Sequence, residues 1–255
     1  MKKLMLAAAI LASFAAPAFA AEPASDHTFT ANVTVASDYR FRGISQTFKQ
    51  PTLQGGFDYA HSSGFYLGNW NSTISGLQYN DTAGIEMDFY GGYKFEPIKD
   101  VTADIGLLYY YYPSARILGT TEKYDNAEIY FGGAYKWFSA KYSYNITDFF
   151  GLSNAIGGNG DSKGSGYLDL NANFEIADKT TLGFHVGKQW VSNYGNLNYI
   201  DYKVSVSRAF DFGTVSAAVI GTDTKNGAYA NVVSSSGKSK DITDTTLVLS
   251  VSKSF

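Results

Sequence analysis

The side chains able to do chemistry are few, and their spacing is unusual. The chain holds three histidines (His27, His61 and His185) and no cysteine in 255 residues. A metal centre needs several convergent His, Cys or carboxylate ligands, so neither a metal nor any other cofactor is expected. A hydrolase of the serine type needs a histidine beside a serine, oriented by a third polar group. None of the three histidines offers that arrangement, and no enzyme activity is expected. Glu86 and Asp88 share one strand face and could pair as acid and base, but two acids on a polar strand face are commonplace.

The other charged groups recur at every second position of successive segments. The acids are Asp38, Asp58, Glu86, Asp88, Asp104, Glu128, Asp169, Glu175 and Asp201; the bases on the same parity are Arg40, Lys94, Lys136, Lys141 and Lys203, with His185 among them. The opposite parity is apolar, most cleanly at Val101, Ala103, Ile105, Leu107, Tyr109 and Tyr111. A period of two is the signature of a strand. Strands that are apolar on one face and charged on the other suit an outer-membrane barrel, whose wall meets lipid outside and water inside.

Twelve such segments can be read. They are Thr28–Tyr39, Leu53–Tyr59, Phe65–Ser72, Ile85–Lys94, Val101–Tyr111, Ala127–Trp137, Phe138–Ile146, Leu168–Ile176, Thr180–Trp190, Tyr199–Arg208, Phe212–Gly221 and Thr243–Phe255. Most approach the 9–11 residues that a tilted strand needs to cross a bilayer. Phe65–Ser72 is weaker, its parity muddled around Asn69 and Trp70. Short links fall at His61–Gly64, Glu96–Asp100, Trp137–Phe138, Ala177–Lys179 and Ala209–Asp211. Long ones fall at Arg40–Thr52, Thr73–Ala83, Pro113–Asn126, Thr147–Ser165, Val191–Asn198 and Thr222–Ile242. Short and long links alternate without a break, as periplasmic turns and external loops of a barrel must. The expected fold is therefore all-β: a transmembrane antiparallel up-and-down barrel of about twelve strands.

Both ends of the sequence agree. Met1–Ala20 has a basic start at Lys2 and Lys3, an apolar stretch, and Ala18-Phe19-Ala20 before Ala21, which reads as a cleaved signal peptide. The barrel would occupy 21–255. The last segment ends on Phe255, the aromatic end of a closing strand and the expected signal to the barrel-assembly machinery. Lipid and lipopolysaccharide would surround the wall. Removing Lys2 and Lys3 leaves 18 of the 20 basic residues against 23 acidic ones, which argues against a nucleic-acid partner. No apolar run in the mature part is long enough for a membrane helix. The 20 tyrosines, 18 phenylalanines and 3 tryptophans supply girdles at strand ends. Tyr109–Tyr112, Trp70, Trp190 and Phe149-Phe150 are expected at outer ends, and Phe95, Trp137, Phe138, Phe210, Phe212 and Phe255 at inner ends. Lys188 stands on the apolar parity beside Trp190, where it could snorkel to the interface.

The most distinctive stretch is Ser37-Asp38-Tyr39-Arg40-Phe41-Arg42-Gly43-Ile44-Ser45-Gln46-Thr47. It is followed by Pro51, Gln54–Tyr59, Ser63–Tyr66 and Gly68-Asn69-Trp70. This run resembles the TorF-type porins of proteobacteria over Ser37–Ile74. Beyond it only the barrel pattern and scattered Gly-Gly pieces (Gly91-Gly92-Tyr93, Gly132-Gly133) continue the likeness. The resemblance implies an outer-membrane, porin-like protein and carries over neither substrate nor catalytic residues.

Physically, the motif belongs at the external end of the first strand. Arg40, on the inward parity, is expected at the pore mouth facing Asp38 or Asp58. Arg42 and Gln46 would hold the loop by hydrogen bonds to carbonyls or carboxylates, with Gly43 permitting the turn. A loop anchor is the preferred reading over a substrate contact. Twelve strands lie between a filled barrel and an open channel. The expected function is passive diffusion of small hydrophilic solutes or ions through a narrow, mildly acidic lumen with a slight preference for cations. The alternative is a plugged barrel that acts as a surface binder or structural protein.

Overall fold

A computed structural model of the protein describes residues 25–79, 83–117, 119–224, 229, 232, 233, 237 and 239–255. The signal peptide expected at Met1–Ala20 lies outside the described residues. Twelve antiparallel strands close into one barrel. They are β1 (His27–Ala36), β2 (Thr52–His61), β3 (Phe65–Thr73), β4 (Ile85–Ile98), β5 (Val101–Tyr111), β6 (Asn126–Tyr135), β7 (Phe138–Asn145), β8 (Gly166–Ala177), β9 (Thr180–Trp190), β10 (Tyr199–Phe210), β11 (Gly213–Thr222) and β12 (Thr246–Ser254). Each strand pairs with its neighbours in sequence. Closure comes from β1 against β12, where Asn32 to Ala36 register with Ser254 to Ser250. Closing the sheet leaves no unpaired edge, so every wall strand has a hydrogen-bonded partner on both sides.

The barrel is built inside out. Leu53, Phe57, Leu107, Phe131 and Leu247 point outward and stay more than half exposed, whereas Glu86, Asp104, Glu128 and Asp201 point inward and are at most 2% exposed. In water such a wall would leave a continuous apolar belt unburied. That belt is the sequence's apolar parity, and the bore is its charged parity.

The two rims differ. At one, two-to-three-residue turns join the strands: Ser62–Gly64, Lys99-Asp100, Lys136-Trp137, Asp178-Lys179 and Asp211-Phe212. At the other rim lie the long connections. Phe95, Trp137, Phe138, Phe210, Phe212 and Phe255 are exposed at the turn rim, and Phe210 stacks on Phe212 at 5.3 Å.

Several boundaries depart from the sequence reading for physical reasons. β4 runs to Ile98, through the expected Glu96–Asp100 link, and its pairing with β5 shifts register between Phe95 and Ile98. Pro97 has no N–H to give the ladder, and a bulge accommodates it. β1 stops at Ala36 rather than Tyr39, because the chain there leaves the wall and enters the bore. Trp70 takes the inward parity with Tyr66 and Ser72, which turns Asn69 and Asn71 outward. There the Asn71 amide donates to Asn69 and to the Gly55 carbonyl. Tyr110 and Tyr112 belong to the bore, not to an outer girdle, and both are buried. Phe149 and Phe150 sit over the bore as well, Phe150 packing on Phe41 and Tyr110.

Candidate functional site

Beyond Ser37 the chain dips into the loop-rim half of the bore as a short hairpin, with Arg40 paired to Ser45 and Phe41 to Ile44. Its two-residue tip is Arg42-Gly43, at φ 47° and 82°. Two successive positive φ values define the type I′ turn that matches hairpin twist. Glycine tolerates this; an arginine in the left-handed region costs about 1–2 kcal/mol and must be compensated. The tip has no spare room. A Cβ on Gly43 would stand 2.6 Å from Thr222 Cγ2 and 2.7 Å from Asp201 Cβ. The hairpin therefore reaches from β1 across to β10 and β11.

Arg42 provides the compensation. Both terminal guanidinium nitrogens are engaged: Nη2 donates to both Glu128 oxygens at 2.8 and 2.7 Å, and Nη1 donates to Gln189 Oε1 at 2.8 Å. The guanidinium also lies 4.2 Å from the centre of the Tyr167 ring and 4.7 Å from that of Phe41. Burial works against its charge, but the adjacent Glu128 carboxylate outweighs burial and raises the Arg42 pKa. A planar bidentate donor suits this position in a way lysine would not.

A second arginine holds the hairpin's base. Arg40 Nε donates to Asp38 Oδ2 at 2.6 Å, Nη1 donates to the carbonyls of Gly43, Ile242 and Asp244, and Nη2 donates to Thr246 Oγ1 at 2.9 Å. Asp38 also accepts from Ser45 and Thr47. Asp58, the other expected partner of Arg40, instead accepts from Tyr90 and Asn32. Gln46 takes the Tyr79 hydroxyl, and Ser75 N–H donates to the Gln46 carbonyl at 2.9 Å, joining this loop to the next one.

Tyrosines answer the buried acids. Tyr39 and Tyr112 both donate to Glu86, Tyr66 to Asp104, Tyr110 to Glu128 and Tyr167 to Asp201. Burial, then the Glu86 charge, holds the Tyr39 phenol well above its ordinary pKa, so it stays a neutral donor. Sequence reasoning assigned tyrosines to girdles and missed this role. The signal was present in part, because Tyr90, Tyr110, Tyr130 and Tyr167 each share the parity of an acid on their own strand.

The remaining expected residues divide by depth. His185 lies between Asp201 (2.7 Å) and Asp169 (3.1 Å), and Tyr167 shares Asp201 with it. Lys203 stands opposite His185 in register, and Lys141 opposite Asp169. Lys94 extends over the Tyr66 ring at 4.8 Å. Lys94, Lys141, Asp169, His185 and Lys203 are half-buried, while Asp201 is buried. Glu175 is exposed near the end of β8, and Asp88 is buried between the β3 and β5 walls with Oδ1 unpartnered. Lys136 departs from expectation: it occupies the turn after β6 at φ 53°, exposed, over the Tyr135 ring, and does not line the bore.

The bore is thus two compartments. Inward residues of the loop-rim half, including Thr34, Gln54, Ser72, Asn126, Asn145 and Gln189, are buried around the hairpin. The turn-rim half stays open. There the charged wall of β4–β10 faces small hydroxyls on β10–β12, among them Ser207, Ser216 and Ser250, which are adjacent in register.

Comparison with solved structures agrees with this architecture. The KdgM porin is 9% identical with a TM-score of 0.52, covering 89% of this chain and 98% of that one. The KdgM porin in complex with disordered oligogalacturonate gives 10%, 0.52, 89% and 98%. The NanC porin gives 10% identity, a TM-score of 0.55, and coverage of 88% and 98%. At such identities the likeness establishes the barrel fold. No curated protein matches the sequence. A family described as "Bacterial protein of unknown function (Gcw_chp)" matches residues 20–255.

Proposed function

We propose a function from one premise: the chain belongs to the Gcw_chp family of bacterial proteins. The protein is a bacterial outer-membrane, porin-like channel, with its turn rim in the periplasm and its loop rim outside. The observation that carries this reading is the inverted wall, an exposed apolar belt around a bore of charges, phenols and hydroxyls. Lipid covers the belt at no desolvation cost, and water fills the open half of the bore. Lipid and lipopolysaccharide are the surrounding partners, and Phe255 is the end that the assembly machinery engages.

The solute is small and hydrophilic, and it passes by diffusion when the hairpin yields. A polyanion such as the oligogalacturonate of the KdgM complex is a poor candidate, because acids outnumber bases along this bore. That excess is unevenly placed. Glu86, Asp88 and Glu128 lie around the hairpin with Arg40 and Arg42, while below it Asp58, Asp104, Asp169 and Glu175 stand against Lys94, Lys141 and Lys203. Cation preference is therefore a property of the conducting state. Reversal potentials across a potassium chloride gradient test it: cation preference supports the reading, and clear anion preference overturns it.

The burial of the loop-rim half favours a second reading, a permanently plugged barrel that binds or braces at the surface. A folded protein that stays electrically silent even after the hairpin is removed would select that reading.

A further inference from the structure

The outer wall is not uniform. Outward positions of β2–β8 carry aromatic side chains in every strand, among them Phe57, Phe89, Tyr109 and Phe131. From β11 through β12 to β1 the aromatics withdraw to the turn-rim ends, Phe255 and Phe29, and the wall between is Val, Ala and Leu. The result is a shallow apolar groove of about 640 Å³. Its floor is a row in register, Val215 beside Val251 beside Val35, with Ala217 above.

At the turn-rim end of this groove stands Arg208, the next residue of that row, paired with Val215 on β10. It is exposed on the outward parity, its guanidinium 5.7 Å from the centre of the Phe210 ring. Lys253 is outward on β12 one row lower, its Nζ donating to the Asp211 carbonyl at 3.0 Å. Two cations thus flank the foot of an apolar groove, at the depth where Phe210 and Phe212 mark an interface.

We propose that this groove is a binding site for a phosphate-bearing glycerolipid, its acyl chain on the valine row and its phosphate on Arg208 and Lys253. The proposal rests on the membrane-spanning reading above. Charge complementarity selects the occupant. A guanidinium presents a donor fork that phosphate oxygens match. A second copy packed on the same sector would supply no acid, since the outward wall positions of β10, β11, β12 and β1 contain none. Snorkelling alone would account for Arg208 but not for the gap in the aromatic wall directly above it.

Native mass spectrometry of the detergent-refolded barrel provides the test, with phosphatidylglycerol and diacylglycerol of the same acyl chains as probes. Heat-modifiable migration on the same samples reports independently whether the barrel is folded, so failure of the membrane reading is seen separately. One phosphatidylglycerol should be retained about thirty-fold over diacylglycerol, as roughly 1 kcal/mol for each of the two interfacial cations implies. Arg208→Ala should cut that preference to about five-fold, the share left to Lys253. Ala217→Trp, which fills the groove and leaves both cations in place, should reduce retention of both lipids. Equal retention of the two lipids, retention unchanged in both variants, or a lipid-independent dimer disrupted by Ala217→Trp would overturn the proposal.

Discussion

Arg42 occupies the position where the bore's electrostatics converge. Its guanidinium joins the hairpin tip to Glu128 on β6 and Gln189 on β9, and Glu128 is wholly buried. Arg42→Ala would leave that carboxylate without the guanidinium that pairs with it, while Tyr110 donates to it at 3.4 Å. The expected loss is about 3–5 kcal/mol, read as a lower urea midpoint for refolded protein in detergent. Arg42→Ala with Glu128→Gln should recover much of it, because the unpaired charge causes most of the cost. The outer end of the hairpin base is softer. Asp244 is partly exposed; burial acts to raise its pKa, but bonds from Lys49 and Thr246 and the charges of Lys49 and Arg40 lower it on balance. A lowered folded-state value means stability that is present above the unfolded value, about 3.9, and is lost as pH falls through the folded one. Asp244→Asn should therefore lower the urea midpoint slightly at pH 7, and the difference should fade as pH falls below the unfolded value and through the lowered folded one.

The hairpin is an element the sequence disclosed only in part. Gly43, Arg42 and Gln46 were legible as a turn and its anchors, because residue types constrain local geometry. What they anchor to was not. Glu128 and Gln189 lie 86 and 147 residues away from Arg42, and no periodicity carries information across such separations. The same limit explains Tyr110 and Tyr112. Four consecutive tyrosines look like a girdle, yet alternation sends two of them into the bore to meet Glu128 and Glu86. Trp70 was obscured because outward Asn69 and Asn71, whose amides donate to Asn69 Oδ1 and to nearby carbonyls, break the apolar stripe without breaking the strand. Seating of the hairpin depends on Gly43, where any Cβ collides with Thr222 and Asp201 and the φ of 82° disfavours it further. Gly43→Val should expel the tip. Trypsin added outside protein-containing vesicles should then cleave at Arg42, while the unaltered protein resists there; equal resistance would show that the tip tolerates the bulk.

At the scale of the whole molecule, the twelve-strand count and the alternation of short and long links were readable because a barrel repeats one rule along its entire length. Whether the bore is open was not readable, since strand number fixes a diameter but not what a loop places inside it. The hairpin closes the loop-rim half, and the other half holds opposing charges and hydroxyls that stay part-exposed. Conductance should accordingly be limited by Tyr39–Thr47 and not by the wall. The most direct measurement is single-channel current in planar bilayers for the intact protein and for a variant with Tyr39–Thr47 replaced by a short Gly-Ser linker. Small or infrequent steps for the former, and steps several-fold larger for the latter, are the expected result. Identical currents from two folded, heat-modifiable barrels, whether both conducting or both silent, would contradict a hairpin-limited channel.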